Sequence, residues 1–182
     1  AAEADAWGRR RGVRVARVAA GSPAAAAGLT EKDMLLEANG HALAGPLDWE
    51  GVLLDLRAGD ALSLRVEGRT REVSLAAVAY PSVTAERVTL FRDIQLISVT
   101  PQIQLERGLV SGDGALIDNI STELTSRLGL RRGDVIMQMN RTRIRNADDA
   151  AQFFDSLRGE GRIVLYVERD GSYGTTNLYW RG

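Results

Sequence analysis

A chain of 182 residues has room for one ordinary domain or two small ones of about 90 residues each. Hydrophobic residues make up 45% and the formal net charge is -1, which supports a packed core and excludes the strongly basic surface that nucleic acid requires. With no cysteine, disulfides and thiolate metal sites are excluded, and no stretch approaches the roughly 20 apolar residues of a membrane span, so direct membrane insertion is not expected.

The N-terminal "AAEADAWGRRRG" lacks the apolar run of a secretory leader and starts without Met, so the chain is expected to be part of a longer protein. From Gly12, Val13, Val15 and Val18 alternate with the period of a half-buried strand. A short helix in "SPAAAA" is predicted to end at Gly28, the residue type that closes a helix in the left-handed conformation. Asp33 opens the strand "MLLEA", which closes in the turn at Asn39-Gly40. A second helix is predicted over about Pro46–Leu56, with Pro46 in its first turn, where a missing N–H costs nothing. Strands at about 61–66 and 71–77 complete this unit, and Val78–Leu90 reads as a short, stiff connection.

The same order then recurs. Gly28-Leu29 lies over Gly129-Leu130, Asp33 over Asp134, and Asn39 over Asn140, each at an offset of 101 (129 − 28 = 101). "ALSLRVE" lies over "RIVLYVE", and Leu56-Arg57 lies over Leu157-Arg158. Upstream, "GVRVARV" matches "GALIDNI" after one gap. In this second unit a helix is predicted over about Ala147–Leu157 and strands at about 162–168 and 174–179. Two α+β units in tandem are therefore expected.

Neither unit offers a catalytic constellation. His41, the only histidine, sits directly after the Asn39-Gly40 turn and reads as exposed. Lys32, the only lysine, lies between Glu31 and Asp33, which oppose the lowered pKa that a Ser–Lys pair needs. "GDG" at 112–114 is too short for a phosphate loop and reads as a hairpin or bulge turn. Arg9–Arg11 and the alternating Arg141, Arg143 and Arg145 read as solvated charge, and the three tryptophans are too dispersed for a stacking platform. No enzyme activity, cofactor or metal is expected of this chain.

The strand, "GSPAAAAGL", Asp-led apolar strand, "NG" turn, helix and closing strands resemble the bacterial PDZ domain, in the permuted strand order of bacterial members. The resemblance runs from Gly12 to Leu75 and again from about Phe91 to Leu178, where "LFRDIQLISVTPQIQLERGLVSGDGALIDNI" resembles the opening of a PDZ domain from an HtrA (Deg) family serine protease. It implies two partly open β-barrels or sandwiches, each capped by two helices. The first would cover 1–78 and be incomplete at its N-terminus, 79–90 would link, and 91–182 would form the second.

The resemblance also implies a function: binding of extended or C-terminal segments of unfolded proteins, and regulation of an attached protease domain in the bacterial cell envelope or periplasm, with oligomer contacts possible. The PDZ pair of an envelope site-2 metalloprotease, and an adaptor with no protease, are the alternatives. An extended peptide adds to a sheet edge beside a helix, and backbone N–H groups of the preceding loop receive its carboxylate. Carried over, the loop is Phe91, Arg92, Asp93 and Ile94, the edge strand is Ile94–Val99 with Gln95, Leu96 and Ile97, and the helix face is Ala147, Ala151 and Phe154, leaving Ala150, Phe153 and Leu157 to the core. Asp93 stands where the family usually has Gly, placing an acid and a restricted backbone at the carboxylate site. Only eleven residues precede Gly12, where the resemblance asks for a stretch like Phe91–Val110, and "AAEADAWGRR" matches the helical "QIQLERGLVSG" better than an edge strand. One binding unit and one structural unit are therefore expected.

Overall fold

A computed structural model describes residues 12–180, so the expectations for residues 1–11 lie outside the described residues. The chain divides into two compact units, Ala1–Ala79 and Tyr80–Gly182. Both are mainly β with helices, and their sheets are open rather than closed into barrels.

The first unit contains β1 (Val13–Arg14), α1 (Pro23–Ala26), β2 (Met34–Ala38), β3 (His41–Ala42), α2 (Pro46–Asp55), β4 (Ala61–Val66) and β5 (Val73–Ala76). Its sheet runs β1-β2-β4-β5, with β3 folded onto β2. Ser22 caps α1 by accepting the Ala25 N–H at 3.2 Å, Pro23 fills the first turn, and Gly28 at φ +75° turns the chain out. Leu35, Ala38, Leu43, Leu62, Leu64 and Val66 form the core. The strand expected across Val13–Val18 is shorter than its pattern. Among the described residues β1 pairs only with β2, and after the Val15 N–H bonds the Asp33 carbonyl at 3.0 Å the chain leaves the sheet.

The second unit is larger: α3 (Pro81–Thr84), β6 (Arg87–Leu90), β7 (Ile94–Ser98), α4 (Pro101–Arg107), β8 (Ala115–Ile120), α5 (Thr122–Leu128), β9 (Val135–Met139), β10 (Thr142–Arg143), α6 (Ala147–Ser156), β11 (Gly161–Arg169) and β12 (Ser172–Trp180). Its antiparallel sheet runs β12-β11-β9-β8-β7-β6, with β10 on β9. One face packs on α6 through Leu96, Ile117, Ile144, Leu165 and their neighbours; a second cluster of Ile97, Val99, Ile103, Leu116 and Val135 includes Ile103 of α4. Four helices accompany this sheet: α5 and α6 are the two caps expected, α4 holds the helical "QIQLER" stretch, and α3 was not expected. "GDG", expected as a hairpin or bulge turn, forms a bend: Gly114 sits at φ +130°, and a Cβ there would stand 2.7 Å from Val135 Cγ1 and 2.9 Å from the Ile136 carbonyl oxygen, so the position requires glycine.

The stretch 79–90 is more than a connection. Its middle forms α3, where the Ser82 N–H and hydroxyl both donate to the Glu106 carboxylate of α4, and its end forms β6, which pairs with β7. The alternation of exposed Arg87 and Thr89 with half-buried Val88 and buried Leu90 explains why this segment joins the sheet.

The repeat extends to individual hydrogen bonds. Asn39 and Asn140, in left-handed turns at φ 48° and 53°, each exchange two bonds with the neighbouring strand, Asn39 with Ser63 and Asn140 with Val164. Asp48 and Asp149 each cap the backbone before their helix, Asp48 accepting from Ala44 at 2.7 Å and Asp149 from Arg145 at 2.9 Å. Asp33 accepts the Thr30 N–H and the Arg69 guanidinium, which also reaches the Gly28 carbonyl. Asp134 accepts the Arg131 N–H and a two-pronged contact from Arg169, which also reaches the Gly129 carbonyl. Burial pushes the Asp33 carboxyl up, but the Thr30 N–H and the Arg69 guanidinium outweigh this and hold it below the ordinary value. The Asp134 carboxylate raises the already high pKa of Arg169.

Candidate functional site: the β7–α6 groove

The candidate groove lies between β7 and α6. Thr100 caps α4 and Asn146 caps α6, accepting backbone N–H groups at 3.2 and 2.7 Å, which fixes where both helices begin. The Ala147 N–H at the start of α6 donates to Ser98 Oγ at the far end of β7, at 3.0 Å. At the other end, the Phe154 ring meets Phe91 edge-to-face with centroids 4.8 Å apart. The helix thus runs along β7 in the opposite direction, from Ser98 toward the 91–93 loop.

The structure corrects one expectation here. Ile94–Val99 was expected to be an open sheet edge, yet β7 is an interior strand, bonded to β8 on one side and to β6 on the other. Strand β6 is antiparallel to β7, with Leu90 opposite Ile94, Thr89 opposite Gln95, Val88 opposite Leu96 and Arg87 opposite Ile97. Helix α6 packs against both strands. Leu90 is buried and Val88 partly buried in the same cluster as Ile94, Leu96, Ala147 and Phe154.

The predicted site residues therefore divide. Ile94 and Leu96 face the α6 cluster, Gln95 is half-buried between them, and Ile97 belongs to the cluster on the α4 side. Ala147 and Phe154 are buried and Ala151 partly so, but Ala150, Phe153 and Leu157 join the same cluster, so α6 has no separate groove face and core face. β6 fills the space that would divide them. Sequence reasoning missed Val88 and Leu90; their signal was the two-residue alternation in "RVTL".

Phe91, Arg92 and Asp93 form a tight, exposed loop. Phe91 and Arg92 hold φ of 51° and 66°, and the Asp93 N–H donates to the Leu90 carbonyl at 3.2 Å. Positive φ at both central positions marks a type I′ hairpin turn. The left-handed positions fall on Phe91 and Arg92, so Asp93 has no need of glycine's conformational range, and its own carbonyl accepts the Ser121 N–H at 3.1 Å. Beside this loop an open cleft of about 630 Å³ is lined by Phe91, Asp93, Leu124, Arg127, Leu178 and Tyr179 among others.

Elsewhere, His41 and Lys32 are exposed. Among the described residues no group of three His, Cys, Asp or Glu side chains could hold a metal ion, and no helix is long and apolar enough to cross a membrane. Arg143 of the alternating arginines pairs with Asp113 at 2.8 Å.

Residues 4–78 match the PDZ domain family model. The chain is 24% identical to a probable periplasmic DegP-like serine endoprotease of Marinomonas, aligned over 93% of this chain and 37% of that protein. It is 23% identical to one of Chlamydia trachomatis, over 87% and 33%, and 26% identical to one of Pseudomonas savastanoi, over 88% and 36%. The chain thus spans about a third of the length of these relatives. The family match on the first unit, the residue-by-residue echo of that unit in the second, and the similarity across most of the chain converge: this chain is similar to the PDZ region of DegP-like serine endoproteases.

Proposed function

We propose that this chain is a non-catalytic peptide-binding region that regulates an attached serine protease domain in the bacterial periplasm. Binding is assigned to the second unit, where an extended segment pairs with β7, lays alternate side chains against α6, and ends at the Phe91–Asp93 loop. The observation that carries this reading is β6 itself. A short strand with two apolar side chains, two residues apart, fits between β7 and α6 and ends at the loop. The periplasmic location follows the relatives' names.

The test is a titration of the isotopically labelled full chain with a hydrophobic C-terminal peptide, followed by backbone NMR. Shifts are expected at Ile94–Ser98, Ala147–Ser156 and the 91–93 loop. Shifts confined to the first unit would sink the assignment.

A further inference from the structure

We propose that β6 is a built-in competitor for the peptide slot, so that ligands bind the second unit by displacing residues 87–90. This rests on the peptide-binding reading above and adds its regulation and ligand class.

Four observations place β6 in the ligand's position. It is antiparallel to β7 and adds to it as an outermost strand. It runs in the same direction as α6, toward the loop. Its last residue, Leu90, is buried in the α6 cluster while Val88, two residues earlier, points the same way. And the Leu90 carbonyl accepts the Asp93 N–H, the loop donor expected to meet the end of a bound peptide. A free peptide ending at this position would offer a carboxylate oxygen to the same N–H.

Strand β6 is also held in a way suited to release. At its C-terminal end it is joined through two non-glycine residues in the left-handed region, a conformation that costs about 1–2 kcal/mol per residue. At its N-terminal end it is anchored outside the groove. Arg87 donates to the Asp118 carboxylate of β8 at 3.1 Å and to the carbonyls of Ser82, Val83 and Ala85 at 3.1–3.2 Å. Asp118 also draws Arg107 and Arg132, at 3.9 and 3.7 Å, while Arg107 bonds Ser82 Oγ at 2.7 Å. Displacement exchanges Val88 and Leu90 for equivalent apolar groups of the ligand, so the burial lost is regained. What the ligand must overcome is the tether, which gives β6 an effective concentration of roughly millimolar. The slot thus selects extended segments with apolar side chains two residues apart, the last one at the loop.

The chain has no cysteine, which allows a clean lock. Thr89 and Gln95 face each other across β6 and β7, the spacing a disulfide bridges. The double substitution Thr89→Cys/Gln95→Cys is made in the full chain, and Arg87→Ala separately. The probe is a fluorescent peptide of the chain's own residues 83–90, VTAERVTL, with a free C-terminus. Binding is expected to fall more than tenfold when the double variant is oxidised and to return on reduction; Arg87→Ala is expected to bind at least fivefold more tightly than the parent chain. Equal binding by the oxidised and reduced forms would overturn the competitor role while leaving peptide recognition standing. If neither the parent, the reduced double variant nor Arg87→Ala bound the probe, the peptide-binding reading would fail and this one with it.

Discussion

Helices α2 and α6 occupy equivalent places in the repeat, yet their surroundings differ. Helix α6 buries Ala147, Ala150 and Phe154, whereas α2 has no buried residue and leaves Leu47 and Leu54 more than 80% exposed. Phe154 is 7% exposed and its equivalent Leu53 is 41% exposed (154 − 53 = 101). The framework around both helices is the same in plan: the Asn turns, the capping aspartates and the arginine–aspartate clamps recur at equivalent places. The contrast tracks the strands beside the helix. In the second unit β6 and β7 cover α6; among the described residues of the first unit, no strand lies in that position. The repeat therefore builds the candidate groove's helix wall twice, and among the described residues a strand wall stands against only one of them.

Substituting the equivalent helix positions gives the largest expected difference. Phe154→Ala removes a buried ring that meets both Phe91 and Phe153, and should cost about 3–4 kcal/mol. Leu53→Ala should cost less than about 1 kcal/mol, because so much of that side chain already meets water. Hydrogen exchange, which reads each unit separately, checks both values; equal losses would mean that the two helices share the same environment after all.

The clamps sharpen the comparison at a smaller scale. Asp134 is 1% exposed and gripped by both prongs of Arg169, whereas the Asp33 side chain is 15% exposed and takes a single contact from Arg69. Asp134→Ala leaves a half-buried guanidinium and the Arg131 N–H without their partner, at a cost of about 2–3 kcal/mol. Asp33→Ala should cost about 1 kcal/mol, since water can replace what is lost. Urea unfolding monitored by unit-specific exchange would show whether the ranking holds.

The smallest effect concerns pH. Asp33 has a folded pKa lowered by the Thr30 N–H and Arg69, against the opposing effect of burial. A lowered folded value means that its stabilisation is present above the unfolded pKa of about 4 and is lost as pH falls through the folded one. With both partners partly solvated, the contribution should stay under about 1 kcal/mol. Acid titration of the parent and of Asp33→Asn should give first-unit stabilities that differ at about pH 6 and draw together as pH falls through the folded pKa of Asp33; a constant difference would mean that the charge of Asp33 plays no part.

Much of this organisation was legible in the sequence, for reasons that particular residues make plain. Asp33, Asn39 and Gly28 recur at one offset because each does a backbone task that few other residues can do. The arginines of the clamps escaped notice because Arg69 and Arg169 are 100 residues apart, one short of the repeat: Arg69 follows its turn glycine, Gly68, while Arg169 precedes its turn, Asp170-Gly171. β6 escaped for a different reason. Its hairpin turn is Phe91-Arg92, without the Gly or Asn that normally announces a type I′ turn, so "RVTL" reads as the end of a connection rather than the start of a sheet. The resemblance named the loop and helix that β6 meets but treated β7 as an edge, because a neighbour four residues upstream leaves no mark in a pattern built on β7 itself.

That turn also carries an evolutionary consequence. Arg92 is exposed and lies outside the buried cluster of the groove, yet it bears part of the conformational cost of closing the hairpin. Under the proposed displacement of residues 87–90, a single codon change to glycine would lift about 1 kcal/mol of that cost and shift the balance between covered and open slot about fivefold toward covered. On that proposal, responsiveness to a ligand drifts between descendants like the setting of a rheostat, while the residues assigned to contact the guest stay as they are.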